Sequence, residues 1–175
     1  MTADPRIRLE RCILRPWLRG DEIPLARHAN NRRTWLNLRD AFPHPYSLQD
    51  ARTWIESTLG VEPASNLAIE IDGAAAGSVG VFPLADVHRR TFEIGFWLAE
   101  PYWGRGVMTE VVRSATERTF TTFDAARIQA GVFSWNPASM RVLEKAGYVL
   151  EGWLRKSVTK DGQLLDTALY ARTRT

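Results

Sequence analysis

Across 175 residues the chain carries one cysteine, Cys12, and three histidines, His28, His44 and His88, at unrelated spacings. A single thiol cannot close an internal disulfide. Neither residue type offers the paired spacing of a zinc cluster, so no metal is expected. Cys12 is expected to pack as a small apolar side chain. Long apolar runs are missing too, and none approaches the roughly 18 residues of a membrane span. The first ten residues, MTADPRIRLE, carry charge where the apolar centre of a secretory signal would lie. The expected setting is the cytoplasm, with no membrane partner. Lysine and arginine together number 23 against 20 acids, a net charge of +3. No dense basic stripe accompanies that balance, so no nucleic-acid partner is expected. Linkers, repeats and low-complexity tracts are absent, and the length fits one domain, 1–175, able to bury a proper core.

What is present centres on YWGRGVMTE, Tyr102 to Glu110. An aromatic and aliphatic run, Phe92 to Leu98, precedes it, and helical apolar spacing from Val107 to Phe123 follows. Gly104 and Gly106 bracket Arg105. Glycine lets the backbone turn sharply and come close to a ligand. A helix N-terminus directly after such a turn offers unpaired N–H groups and partial positive charge, to which Arg105 adds a full one. The pattern describes a strand–loop–helix anion site. It is not a P-loop, since Val107 and Met108 stand where Lys and Ser or Thr should follow the second glycine, and it lacks the third glycine of a dinucleotide fingerprint.

The rest of the chain supplies a mixed set of elements. Cys12 to Trp17 reads as a strand closed by Pro16. Asp21 looks like the cap of a helix running to about Ala29, and Arg32 to Leu38 reads as a second short helix. Pro43 and Pro45 force an extended loop carrying Phe42, His44 and Tyr46. Ser47 caps a helix with Leu48, Ala51, Trp54, Ile55 and Leu59 at helical spacing, which stops at Gly60. Leu67 to Ile71 and Ala76 to Leu84 form a hairpin around Asp72-Gly73. Thr91 to Ala99 is the next strand and leads to the glycine loop. Ile128 to Phe133 is a strand; Asn136-Pro137 opens a helix ending at Gly147; Tyr148 to Val158 and Leu164 to Ala171 close the chain as a hairpin around Asp161-Gly162. This order predicts an α+β (mixed α/β) sheet with helices on both faces.

The glycine loop, the segment NPASMRVLEKAGY (Asn136 to Tyr148) and the ending DTALY (Asp166 to Tyr170) resemble the GNAT N-acetyltransferase superfamily. With ILRPW, FPHPYSLQDARTWI and EIGFWL they are similar to its RimJ/RimL branch, which includes ribosomal-protein N-terminal acetyltransferases. The matching stretches follow family order over nearly the whole chain. The resemblance implies a single-domain fold with a mostly antiparallel central sheet of about seven strands, splayed in the middle. It implies acetyl-CoA as cosubstrate, with no metal. The backbone of Phe96, Trp97 and Leu98 would pair with the pantetheine arm as an added strand does. The loop from Trp103 through Gly104, Arg105, Gly106, Val107, Met108 and Thr109 would hold the pyrophosphate by its N–H groups. Trp103 and Met108 depart from the family pattern Q/R-x-x-G-x-G/A, with little expected loss because backbone atoms make the contacts.

Several side chains have two readings. Asn136 is a helix cap, a cofactor contact, or both. Many family members carry in this helix a tyrosine that protonates the departing thiolate; Leu143 occupies the matching position, so the resemblance passes the role of general acid to Ser139. Glu93 is the candidate base, directly or through water, with Asp166 and Glu151 as runners-up that would otherwise hold the terminal hairpin. Alternation puts Glu93 on the face of Gly95 and Trp97, opposite Phe92 and Phe96. The acceptor side would use Trp35, Phe42, His44, Tyr46 and Trp153. The first 62 residues hold ten arginines against eight acids, a balance that favours no polycation. The expected acceptor is a protein or peptide N-terminus or a small amine. A polyamine or aminoglycoside acetyltransferase and a non-catalytic CoA-binding sensor or scaffold are the alternatives. Exposed aromatics permit a homodimer without requiring one.

Overall fold

The computed structural model describes residues 6–174. Eight strands hydrogen-bond in the order β1-β2-β3-β4-β5-β6-β8-β7, and every described pairing is antiparallel except that of β5 with β6. This is the expected mixed α/β architecture. The eighth strand is β1, Ile7–Arg8, two residues too short to show a pattern in sequence. The chain divides into two compact units: residues up to Gly80 with Phe96–Val111, and Val81–Gly95 with the chain from Val112 onward.

In the first unit β2 (Ile13–Arg15) pairs with β1 and with β3 (Asn66–Ile71), and β3 turns through Asp72-Gly73 into β4 (Ala74–Pro83). Both turn residues have positive φ, +51° and +79°, which a two-residue hairpin loop of this hand requires. The helices α1 (Glu22–Ala29), α2 (Arg32–Trp35) and α3 (Leu48–Thr58) lie between β2 and β3 in sequence. Ser47 and Asp50 form a reciprocal capping box at α3, as the sequence suggests. Leu25, Ala29, Ala51 and Ile55 present one apolar stripe per helix to a core shared with Trp17, Tyr46, Ala68 and Ala75. Full burial of Leu25 or Ile55 contributes about 1.5–3 kcal/mol each.

Asp21 stands at the N-cap of α1 but makes no cap bond. Its carboxylate is taken by the buried Arg15 guanidinium at 2.7 and 2.9 Å and by the Leu18 N–H at 2.9 Å. Arg15 also pairs with Glu70, which Arg6 reaches at 3.2 Å. A buried cation outcompetes a backbone N–H for a carboxylate, because leaving it unpaired costs more. α2 is shorter than the Arg32–Leu38 expected, because Asn37 and Leu38 bond three residues back, to Thr34 and Trp35.

In the second unit β5 (Thr91–Leu98) runs parallel to β6 (Arg127–Phe133) through Thr91, Phe92 and Glu93, opposite Arg127, Ile128 and Gln129. β6 pairs along its length with β8 (Gln163–Thr173), and β8 with β7 (Val149–Lys160). The helix α4 (Val107–Thr122) leads from the first unit into the second. α5 (Pro137–Lys145) starts on Asn136 and Pro137 as the sequence suggests. It ends in a Schellman motif: Gly147 has φ +87°, its N–H bonds Glu144 O, and that of Tyr148 bonds Leu143 O, each at 3.0 Å.

Candidate active site

The first unit holds the glycine loop. A 3₁₀ turn over Glu100–Tyr102 leads from the end of β5 to Trp103. The indole N–H of Trp103 donates to Leu98 O at 2.6 Å, tying the loop back to the strand. Gly104 and Gly106 have φ +73° and +81°. That left-handed backbone, rather than any shortage of space, calls for glycine here: a Cβ on Gly104 would meet nothing within 4 Å.

Among the described residues, the backbone N–H groups of Gly104, Arg105, Gly106, Val107, Met108 and Thr109 donate to no backbone carbonyl; Glu110 is the first to do so, to Gly106 O at 3.4 Å. These consecutive donors join the positive end of a 16-residue helix. Val107 and Met108 are buried, which anchors the helix start. Arg105 is exposed and lies over the Tyr102 ring, 5.6 Å from its centroid. The residue missed in the sequence is Arg11. It forms an ion pair with Glu110, and its own N–H reaches that carboxylate at 3.3 Å. A separation of 99 residues left no local signal.

β4 presses on β5 from one side. Ala99 N–H bonds Ala76 O at 2.7 Å, and a Cβ on Gly77 would lie closer to Trp97 O than real Cβ contacts come. Phe96 and Trp97 are half-buried and Leu98 is buried.

The aromatic side chains proposed for the acceptor fall into pairs in this unit. His44 stacks on Trp35 at 5.4 Å between centroids, while Phe42 contacts Tyr46 at 4.9 Å and Trp97 at 5.7 Å. Tyr46 is only 6% exposed and belongs to the core. Burial pushes its phenol up to about 12.

The second unit holds Glu93, Asn136, Ser139 and Trp153. Asn136 Oδ1 accepts the Ser139 N–H at 3.2 Å as a cap should, and Asn136 Nδ2 donates to Ser139 Oγ at 2.9 Å. The Ser139 hydroxyl is thus oriented as an acceptor toward Asn136, and its own proton is left to give elsewhere. Ser139 is half-buried, and it is the one hydroxyl-bearing residue of α5. Leu143 is fully buried in the core. Just beyond the helix, Tyr148 is buried with its hydroxyl on Thr116 at 2.7 Å, and burial pushes it up to about 12.

Glu93 is half-buried, between buried Phe92 and Ile94, as strand alternation requires. The two runners-up are engaged in the hairpin. Glu151 is held by the two terminal guanidinium nitrogens of Arg127 at 2.8 and 2.6 Å, and that hydrogen bonding lowers its carboxyl pKa. Asp166 accepts the Lys156 N–H at 2.8 Å, where the β7–β8 register slips. Trp153 is 48% exposed on β7. Among the described residues, no group of three or more His, Cys, Asp or Glu side chains could hold a metal ion, and no helix is long and apolar enough to cross a membrane.

Three comparisons bear on this arrangement. Residues 11–149 match the acetyltransferase (GNAT) domain model. The SPbeta prophage-derived uncharacterized N-acetyltransferase YokL of Bacillus subtilis is 30% identical over 137 residues, 77% of this chain and 76% of that one. Other curated relatives are matched over about half their length. The RimL ribosomal L7/L12 alpha-N-protein acetyltransferase in complex with coenzyme A superposes with a TM-score of 0.80 at 19% identity, over 94% of this chain and 95% of that one. The spermidine N-acetyltransferase of Vibrio cholerae, in complex with CoA and spermine, gives 0.77 at 21% identity, over 94% and 96%. At such identities the two structures speak for the fold alone.

Proposed function

Because the chain belongs to the acetyltransferase (GNAT) domain family, we propose that residues 1–175 act as one acetyl-CoA-dependent N-acetyltransferase domain of RimJ/RimL type, in the cytoplasm. The acetyl group passes directly to a primary amine, either a protein or peptide N-terminus or a small amine. The observation that carries this proposal is the run of unused N–H donors from Gly104 to Thr109 behind two left-handed glycines. A pyrophosphate takes several donors, and this segment supplies a consecutive run of them with a helix dipole behind. Arg105 adds charge at the rim.

On this account the amine attacks the thioester carbon, and the new C–N bond forms as the C–S bond breaks. Ser139 gives its hydroxyl proton to the departing thiolate. The amine loses its proton to Glu93, directly or through a water, and solvent restores the serine. Backbone N–H groups of Phe96 to Leu98 serve the pantetheine arm and the developing oxyanion. Trp35, Phe42, His44 and Trp153 are the candidates for the acceptor side, with Tyr46 as packing behind Phe42. Exposed Trp153 also permits a homodimer.

The alternative is a CoA-binding sensor without turnover, favoured by Leu143 standing where a tyrosine acid would be. Release of free thiol from acetyl-CoA, measured against N-terminal peptides, small amines, polyamines and aminoglycosides, separates the two. Acceptor-dependent release that collapses in the Ser139→Ala, Glu93→Gln double variant, with CoA binding retained, supports the enzyme. CoA binding without release from any acceptor supports the sensor.

A further inference from the structure

The sharpest unexplained cluster lies at Glu100, in the 3₁₀ turn just before the glycine loop. Its carboxylate accepts from two side chains at the start of α2: Nδ2 of the preceding Asn31 at 2.7 Å, and the Arg33 guanidinium in an ion pair. Asn31 is also the cap of that helix, its Oδ1 accepting the N–H groups of Arg33 at 2.8 Å and Thr34 at 3.4 Å. Arg33 then lies over the indole of Trp103, 5.1 Å from its centroid, and that indole is bonded to Leu98 O. The same four-residue helix ends at Trp35, whose ring stacks on His44. One carboxylate thus joins the cap of the helix that carries Trp35 to the turn that enters the anion loop.

An exposed ion pair alone stabilises little, about 0–1 kcal/mol. The arrangement here is not a lone pair: two donors from one helix turn converge on one carboxylate, and one of them also stacks on the loop. Such a joint contributes less to overall stability than to holding two elements in one register. We propose that Glu100, with Asn31 and Arg33, is a positioning group that transmits occupation of the glycine loop to the Trp35–His44 pair, so that bound cofactor sets the acceptor side. This rests on the acetyl-CoA reading of the loop.

The test uses coenzyme A as the probe, with the full chain. Binding is read by calorimetry, and the His44 imidazole and Trp103 indole resonances are followed by NMR. In the wild type, CoA shifts both signals along one saturation curve. In Glu100→Gln and in Arg33→Gln, CoA affinity stays within about fivefold, the equivalent of an exposed ion pair. The Trp103 signal still responds in both variants, but the His44 response is lost. Arg33→Lys, which keeps the charge on Glu100, restores part of it. Arg33 is largely exposed, so its variants fold even if a Glu100 variant does not. A His44 response that survives in the Arg33→Gln variant, or is absent from a wild type that binds CoA, overturns the proposal. Failure of the wild type to bind CoA instead contradicts the acetyltransferase reading, and the proposal falls with it.

Discussion

The side-chain amide of Asn136 donates to the Ser139 hydroxyl at 2.9 Å while its carbonyl oxygen accepts the Ser139 backbone N–H at 3.2 Å. One asparagine thereby caps α5 and orients the hydroxyl proposed as the proton donor. Ser139→Ala should lower kcat by about 10²–10⁴, the range for loss of a general acid. CoA affinity measured by calorimetry should change by less than about tenfold, because a single neutral hydrogen bond is at stake. Equal loss of affinity and turnover would place Ser139 in binding rather than in proton transfer.

Asn136→Ala removes the cap as well as the orienting bond. Chemical denaturation should show a loss of about 1 kcal/mol, and turnover should fall along with it. Asn136→Asp keeps the cap acceptor but cannot donate to the Ser139 hydroxyl. It should restore most of the stability and little of the activity.

Gly77 faces the backbone of β5, where a Cβ would run into Trp97 O. Gly77→Ala should destabilise by about 1–3 kcal/mol, since a carbonyl in a paired strand cannot swing aside as a side chain can. An unfolding midpoint unchanged from the wild type would mean that β4 and β5 separate at no cost there.

Glu70 is held below the ordinary carboxylate range, first by its hydrogen bond to Arg15 and then by the charges of Arg15 and Arg6, against some opposition from desolvation. A depressed folded-state pKa gives stability that is fully present above the unfolded value of about 4.3. That stability is lost as pH falls through the folded value. Stability measured from pH 7 to pH 3 should drop below about pH 4.3 in the wild type. Glu70→Gln should be less stable at neutral pH and should show a shallower acid limb. An identical acid limb in the variant would remove Glu70 from the account of acid sensitivity.

Much of this fold is written locally. Ser47 with Asp50, Asn136 with Pro137, and Gly147 each declare a helix end, because a cap is made within four residues of itself. Asp72-Gly73 and Asp161-Gly162 declare their hairpins through backbone φ that few other residues adopt. The glycine loop is legible for the same reason. Long-range charge pairing is not legible in this way. Asp21 looks like a cap, yet Arg15 claims it, because burial of that guanidinium depends on strands that meet only in the folded chain. Arg11 with Glu110 and Asn31 with Glu100 lie 99 and 69 residues apart, and no spacing rule reaches so far. Tyr46 sits on a proline-rich loop that reads as part of the acceptor side, but its ring completes the core around Trp17 and Ile55.

The indole of Trp103 bonds the carbonyl that ends β5. Trp103→Phe keeps the ring beneath Arg33 and deletes only that bond. Affinity for CoA should fall by up to about tenfold, the effect of one hydrogen bond on loop order. Isothermal titration reads it directly.

The most direct measurement is a titration of the ¹⁵N-labelled protein with acetyl-CoA, following the backbone amides of Gly104 to Thr109. Unpaired N–H groups that close on a pyrophosphate should move together, saturably, and more than amides elsewhere in α4. Saturable shifts centred on those residues are the predicted result. No saturable binding, or binding that leaves these amides unmoved, would contradict the anion-loop account and the acetyltransferase function built on it.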